Sequence, residues 1–123
     1  MARRVNVVIL NSIDGEALDI IRTATPDVVV TDASPLTRTE RQGDRSKTAE
    51  LDGLLAEAEV AYALKLPDRF VQRSPRLKWL QTISTGVDRI LTPELVHSPI
   101  VVTNMSGVHE TTISEFVLML MLM

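Results

Sequence analysis

Five short runs of β-branched and apolar residues, at 5–10, 28–31, 59–64, 77–83 and 100–103, alternate along the chain with stretches that carry helix signals. No other feature restricts the fold as much, because strand and helix in alternation is the pattern of βαβ units, whose successive strands lie parallel. A parallel sheet is buried on both faces and needs helices over both. The 123 residues suffice for one core of ordinary size and not for two. The pattern therefore predicts an α/β domain, a flavodoxin-like open parallel five-stranded sheet with helices on both faces and right-handed crossovers.

Between the strands the local signals differ in clarity. A helix is expected over 16–23 and is closed off ahead of Pro26, since the residue before proline disfavours helical backbone. Residues 32–35, Asp-Ala-Ser-Pro, read as a turn that leads into 37–47, a stretch dense in Arg, Glu and Gln with Gly43 and no apolar period. That stretch is expected to be an exposed loop without function. Ser46 or Thr48 is expected to cap a helix reaching about residue 58, with Leu51, Leu54 and Leu55 as its buried stripe. Pro67 opens a helical turn at 68–72, Trp79 is the largest apolar side chain of the fourth strand, and the last helix starts near Glu110.

Several functional classes are excluded by composition. A net charge of −3, with Lys and Arg scattered, provides no basic face for a nucleic-acid backbone. The absence of cysteine removes disulfides, thiolate nucleophiles and Cys-based zinc sites, and points to a cytoplasmic protein. Arg3 and Arg4 before the first apolar run imitate a signal peptide, but the run is short and ends in Asn11-Ser12-Ile13-Asp14-Gly15. The other strongly apolar stretch, 116–123, falls well below the roughly 20 residues that span a bilayer, so no membrane association is expected. Its lack of a closing Gly, Lys or Asn leads to the expectation that a longer polypeptide continues past Met123.

In a sheet of this kind ligands bind outside the carboxyl ends of the strands. The first tip lacks the Gly- and Thr-rich run that wraps a flavin phosphate, and the acids and lysine of a phospho-acceptor switch are missing from the third and fifth tips. Asp32 resembles an acid that holds an NAD ribose, but the glycines at 15, 43, 53, 86 and 107 form no G-x-G-x-x-G, and an Asx turn is the better reading. The fourth tip, Ser84-Thr85-Gly86-Val87-Asp88, places a glycine at the strand-to-helix turn, where successive amides can meet the charge of a small carboxylate and Asp88 can cap the next turn. A glycine needed only for a tight turn is the competing explanation. The fifth tip, 103–110, is a polar loop with His109 before the last helix, able to donate to a bound anion or simply to sit at a helix start. His97 is expected in solvent, and His97, His109 and scattered acids are too few for a metal site.

The blocks Leu77-Lys78-Trp79-Leu80-Gln81-Thr82-Ile83-Ser84-Thr85-Gly86-Val87-Asp88, Ile100-Val101-Val102-Thr103-Asn104-Met105-Ser106-Gly107-Val108-His109 and Ile113-Ser114-Glu115-Phe116-Val117-Leu118, in that order, resemble the N-terminal part of the D-isomer-specific 2-hydroxyacid dehydrogenases. The resemblance implies a two-domain oxidoreductase using NAD or NADP on a small 2-oxoacid or 2-hydroxyacid, and a homodimer when whole. Residues 1–108 would be the flavodoxin-like substrate domain and 109–123 the start of the interdomain hinge helix, with the nucleotide-binding domain outside this chain. Amides of the loop at Thr85, Gly86 and Val87 would hold the substrate carboxylate, His109 would line the cleft beside it, and Ile113 would lie near the nicotinamide. Asn104 and Gly107 would shape the hinge, and Glu115 belongs to its signature, although the family's Ala before that glutamate is Ser114 here. The arginine that grips the oxoacid and the acid–histidine pair that moves the proton would lie past Met123, so no catalytic residue is expected within this chain. The alternative is a non-catalytic flavodoxin-like binding or assembly module whose apolar C-terminal helix is an interface.

Overall fold

The computed structural model describes residues 3–123. Along the chain run β1 (Val5–Ile9), α1 (Gly15–Thr23), β2 (Val28–Asp32), α2 (Ser34–Arg41), α3 (Thr48–Glu57), β3 (Val60–Ala63), α4 (Phe70–Arg73), β4 (Trp79–Thr82), α5 (Pro93–Val96), β5 (Val101–Thr103) and α6 (Glu110–Leu122). All pairings are parallel and the sheet order is β2-β1-β3-β4-β5, as the alternation of strand and helix signals required. The chain moves one way from β1 to β2 and the other way from β1 through β5. Crossovers of one hand running in opposite directions lie on opposite faces, which puts α1 on one face and α2 to α5 on the other.

The core follows from the strand period of two. Val8, Leu10, Ala61, Ala63 and Leu80 point to the face covered by α2 to α5, where they join Leu36, Leu51, Leu55, Phe70 and Leu95 in one buried cluster. Alanines on β3 let the helices approach closely, and Leu51 and Leu55, four apart on α3, fill the space above them at 0% exposure. Leu54, the third member of the expected stripe, is only partly buried. On the other face α1 covers the β2 side, while Trp79 and Val101, in register on β4 and β5, stay 44% and 60% exposed. The Trp79 indole donates to Thr103 Oγ1 at 2.7 Å, so the largest apolar side chain of β4 is not in the core.

Two local expectations are corrected. The stretch 37–47 is not wholly an exposed loop: its first part belongs to α2, started by Pro35 in the first turn. The buried stripe of α2 is polar, with Ser34 at 7% and Thr37 at 2% exposure beside Leu36 at 8%, and so leaves no apolar period in the sequence. Neither Ser46 nor Thr48 caps α3, whose N-cap is Lys47 without a side-chain cap bond. Thr48 Oγ1 instead donates to Glu40 Oε2 at 3.3 Å, which draws α3 toward α2. Asp32 does form the Asx turn, its carboxylate accepting from Ser34 N at 2.9 Å.

Candidate functional site

A cleft of about 790 Å³ opens at the carboxyl ends of β3 and β4, one strand away from the point where the chain reverses direction across the sheet. One wall is the segment 64–72 that follows β3; the other is formed by Ser84, Gly86, Asp88, Arg89, Ile90, Thr92 and Glu94 after β4. Ile90 is buried beneath it and anchors a turn in which Val87 O accepts from Ile90 N at 2.9 Å and Leu91 N at 3.0 Å. Asp88 makes no capping bond among the described residues; Thr92 does, accepting from Leu95 N at 3.3 Å to start α5.

Three of the four carbonyls in the loop 84–87 are engaged: Ser84 O accepts from Met105 N at 3.1 Å, Thr85 O from Asn104 Nδ2 at 2.8 Å, and Val87 O from the amides of Ile90 and Leu91, while Gly86 O has no donor among the described residues. Among the described residues the amides of Thr85, Gly86 and Val87 have no acceptor. Three successive amides without a protein acceptor make a surface suited to an anion. Lining cations (Lys65, Arg69, Arg89) and acids (Asp68, Asp88, Glu94) balance in number, so the cleft carries no net charge that would select a ligand.

The tight-turn explanation of Gly86 finds no steric support: its backbone is not in the left-handed region, and a Cβ built there would meet nothing within 4 Å, as at Gly15 and Gly53. Neither the turn nor the packing requires glycine, and the space beside it is open.

Of the residues singled out in the sequence, Gly86 lines the cleft, and its chain neighbours Thr85 and Val87 do not. His109 and Ile113 do not line it. His109 is exposed as the N-cap residue of α6 without a side-chain cap bond, and its carbonyl accepts from Ile113 N at 2.9 Å. The bonds from Asn104 and Met105 do tie the fifth tip to the fourth. Gly107 is needed for its backbone, with φ of +90° ahead of α6. His97 is exposed, and among the described residues no three His, Asp or Glu side chains cluster as metal ligands.

Missed in the sequence were Asn11, Arg41 and Arg73, which fix the wall 64–69. Asn11 Oδ1 accepts from Leu64 N at 2.6 Å, Arg41 Nη2 donates to Lys65 O at 2.8 Å and Arg73 Nη1 donates to Asp68 O at 3.1 Å. The detectable signal was the polar Asn at the first strand tip. The two arginines carried none, because their partners are carbonyls that no local pattern marks.

The described residues do not by themselves fit a dinucleotide. The carboxylate at the end of β2 is turned to Ser34 N, and no strand tip opens with the glycine pattern that brings a helix N-terminus to a pyrophosphate. Ile113, 59% exposed on α6, is the single candidate contact. No helix among the described residues is long and apolar enough to cross a membrane.

No protein-family model and no curated protein matches the chain. Solved structures do. A D-isomer-specific 2-hydroxyacid dehydrogenase family protein from Aeromonas salmonicida subsp. salmonicida A449 superposes with a TM-score of 0.68 at 20% identity over 97% of this chain and 35% of its own. A phosphoglycerate dehydrogenase from Lactobacillus plantarum gives 0.59 at 31% identity, over 95% and 34%. A D-isomer-specific 2-hydroxyacid dehydrogenase family protein from Klebsiella pneumoniae 342 gives 0.55 at 24%, over 96% and 33%. The resemblance to the D-isomer-specific 2-hydroxyacid dehydrogenases carried by the three sequence blocks therefore holds in three dimensions. The fold is that of a dehydrogenase substrate domain, and the chain spans about a third of the length of these neighbours.

Proposed function

We infer that this chain binds the carboxylate of a small 2-oxoacid or 2-hydroxyacid on the amides of Thr85, Gly86 and Val87, as the substrate-holding part of an NAD(P)-dependent oxidoreductase of D-2-hydroxyacids. The observation that carries the reading is the run of three amides without a protein acceptor, with open space beside Gly86. The likeness to dehydrogenase structures supports the same assignment. On this reading residues 1–108 form the substrate domain, α6 is the hinge helix, and His109 stands where the hinge meets the fifth tip. The chain's own contribution is to bind and orient: backbone donors fix the carboxylate end of the substrate, which leaves its C2 facing out of the cleft. The NAD or NADP and the proton donor belong to segments other than this one.

Titration of the ¹⁵N-labelled chain with oxamate, a carboxylate of the expected shape, tests the reading. Amide shifts are expected at Thr85, Gly86 and Val87. Gly86→Ala is expected to leave the unfolding free energy in urea unchanged within about 0.5 kcal/mol, as at sites free of packing, and to weaken oxamate by about tenfold because its methyl would crowd the amides. Shifts confined to other residues, or an alanine variant that binds like the parent, would overturn it.

A further inference from the structure

We propose that the cleft wall 64–69 is held in its binding conformation by α2, with Arg41 and Arg73 as its positioning residues. The wall is bend and turn, without the repeated backbone bonds of strand or helix. Three side chains from outside hold it instead: Asn11 at the tip of β1 takes Leu64 N, Arg41 at the end of α2 grips Lys65 O, and Arg73 of α4 grips Asp68 O.

The last of these brackets a strained residue. Arg69 has φ 54° and ψ 35°, a left-handed backbone that a residue with a long side chain rarely adopts. Arg73 donates to both of its flanks, from Nη1 to Asp68 O at 3.1 Å and from its own backbone N to Arg69 O at 3.0 Å. Such a conformation persists only where the surroundings over-determine it.

Arg73 is itself immobilised. Its guanidinium forms a two-pronged pair with Glu40 of α2, at 2.8 and 3.0 Å, while its Nε donates to Asp52 of α3 at 2.5 Å. The Arg73 and Glu40 side chains are 12% and 9% exposed, so the fork is shielded from competing water. Helix α2 thus reaches the wall twice, directly through Arg41 and through Glu40 to Arg73. Neither arginine lines the cleft, and both act through the backbone carbonyls of residues that do. The effect is pre-organisation: a wall ordered in the free protein need not be ordered when a ligand arrives.

The inference rests on the carboxylate reading for its consequence in binding, and on the wall alone for its structural content. The experiment therefore has two readouts on the ¹⁵N-labelled chain: amide hydrogen exchange, and oxamate affinity. In Arg73→Met, the amides of Leu64 and Lys65, which donate to Asn11 Oδ1, are expected to exchange faster by at least tenfold, while those of Val8 and Leu80 in the sheet keep their protection. The oxamate Kd is expected to rise by about tenfold with the shift pattern at Thr85 to Val87 retained. Arg73→Lys, which keeps the charge and loses the fork, is expected to fall between the two. Arg41→Met removes an exposed side chain that no helix packing depends on, and supplies the same readouts should Arg73→Met fail to fold. Leu64 and Lys65 amides that keep their protection in both Met variants, or exchange that rises equally through the sheet, would overturn the proposal. Absence of oxamate shifts in the parent chain would sink the carboxylate reading, with the exchange data still deciding whether α2 holds the wall.

Discussion

Thr37 and Ser74 are both buried hydroxyl residues, each 2% exposed, and they are opposite cases. Thr37 Oγ1 donates to Leu10 O at 2.7 Å, closing the carbonyl just past the end of β1, and also lies 3.0 Å from Ser34 O. Ser74 Oγ has no partner among the described residues. Thr37→Val keeps the shape but strips the bond from a buried carbonyl, and is expected to cost about 1–3 kcal/mol. Ser74→Ala removes a hydroxyl that is already unsatisfied and is expected to be neutral or stabilising. Urea unfolding of the two variants checks both, and a Thr37→Val midpoint equal to the parent's would contradict the role given to that hydroxyl. At this scale the sequence was legible where chemistry is local. Asp32 and its turn, or Gly86 between small hydroxyl residues and Val87, announce themselves by type and neighbours. Thr37 does not, because its partner is 27 residues away.

The interest of α2 and its neighbours lies in charge. The Arg73 guanidinium bonded to Glu40 holds that carboxyl below its ordinary value near 4.5, against an opposing push from burial, with Thr48 and Arg45 adding to the lowering. A group whose folded pKa lies below its unfolded value contributes stability that is present above the unfolded pKa and lost as the pH falls through the folded one. The tie from α2 to Arg73 should therefore be intact at neutral pH and weaken as the pH drops below about 4.5. In urea unfolding at a series of pH values, Glu40→Gln is expected to be less stable than the parent at pH 7 and to lose less stability on acidification. A parallel pair of pH profiles would refute this. The sequence could not show α2 because helix recognition relies on apolar residues at spacings of three and four. Here the stripe is Ser34, Thr37 and Glu40, satisfied by hydrogen bonds and an arginine from α4.

Across the whole molecule two surfaces are left apolar. Trp79 and Val101 stand open on one face of the sheet, and every residue of α6 is exposed, Phe116 at 56% and Leu122 at 80% among them. Large contiguous apolar surface marks a site of association, which agrees with a hinge helix that lies between domains. It agrees equally with the interface of a binding module. The described residues hold neither a dinucleotide grip nor an acid poised in the cleft by a hydrogen-bonded partner, so the 123-residue chain alone is expected to oxidise no NADH with glyoxylate, pyruvate or hydroxypyruvate. Measurable turnover in an absorbance assay would overturn the division of labour proposed here.

What the amino-acid order determined by itself was the sheet and the direction of its chemistry. Alternating β-branched runs and helix signals dictate parallel strands, parallel strands dictate helices over the sheet, and ligands then belong at the strand tips, where Gly86 is visible as a small residue in a polar loop. All of this comes from short-range periodicity and local backbone preference. Only the tertiary structure decided which tips share a cleft, that the loop before Asp88 has three amides without a protein acceptor, and that the stretch after Asp32 reaches the facing wall through Arg41 and, by way of Glu40, through Arg73. The longest of these relations, Arg41 to Lys65 and Glu40 to Arg73, join residues 24 and 33 positions apart, and no local pattern encodes them. They exist because folding brings a donor and an acceptor together out of water, and that event is a property of the packed chain.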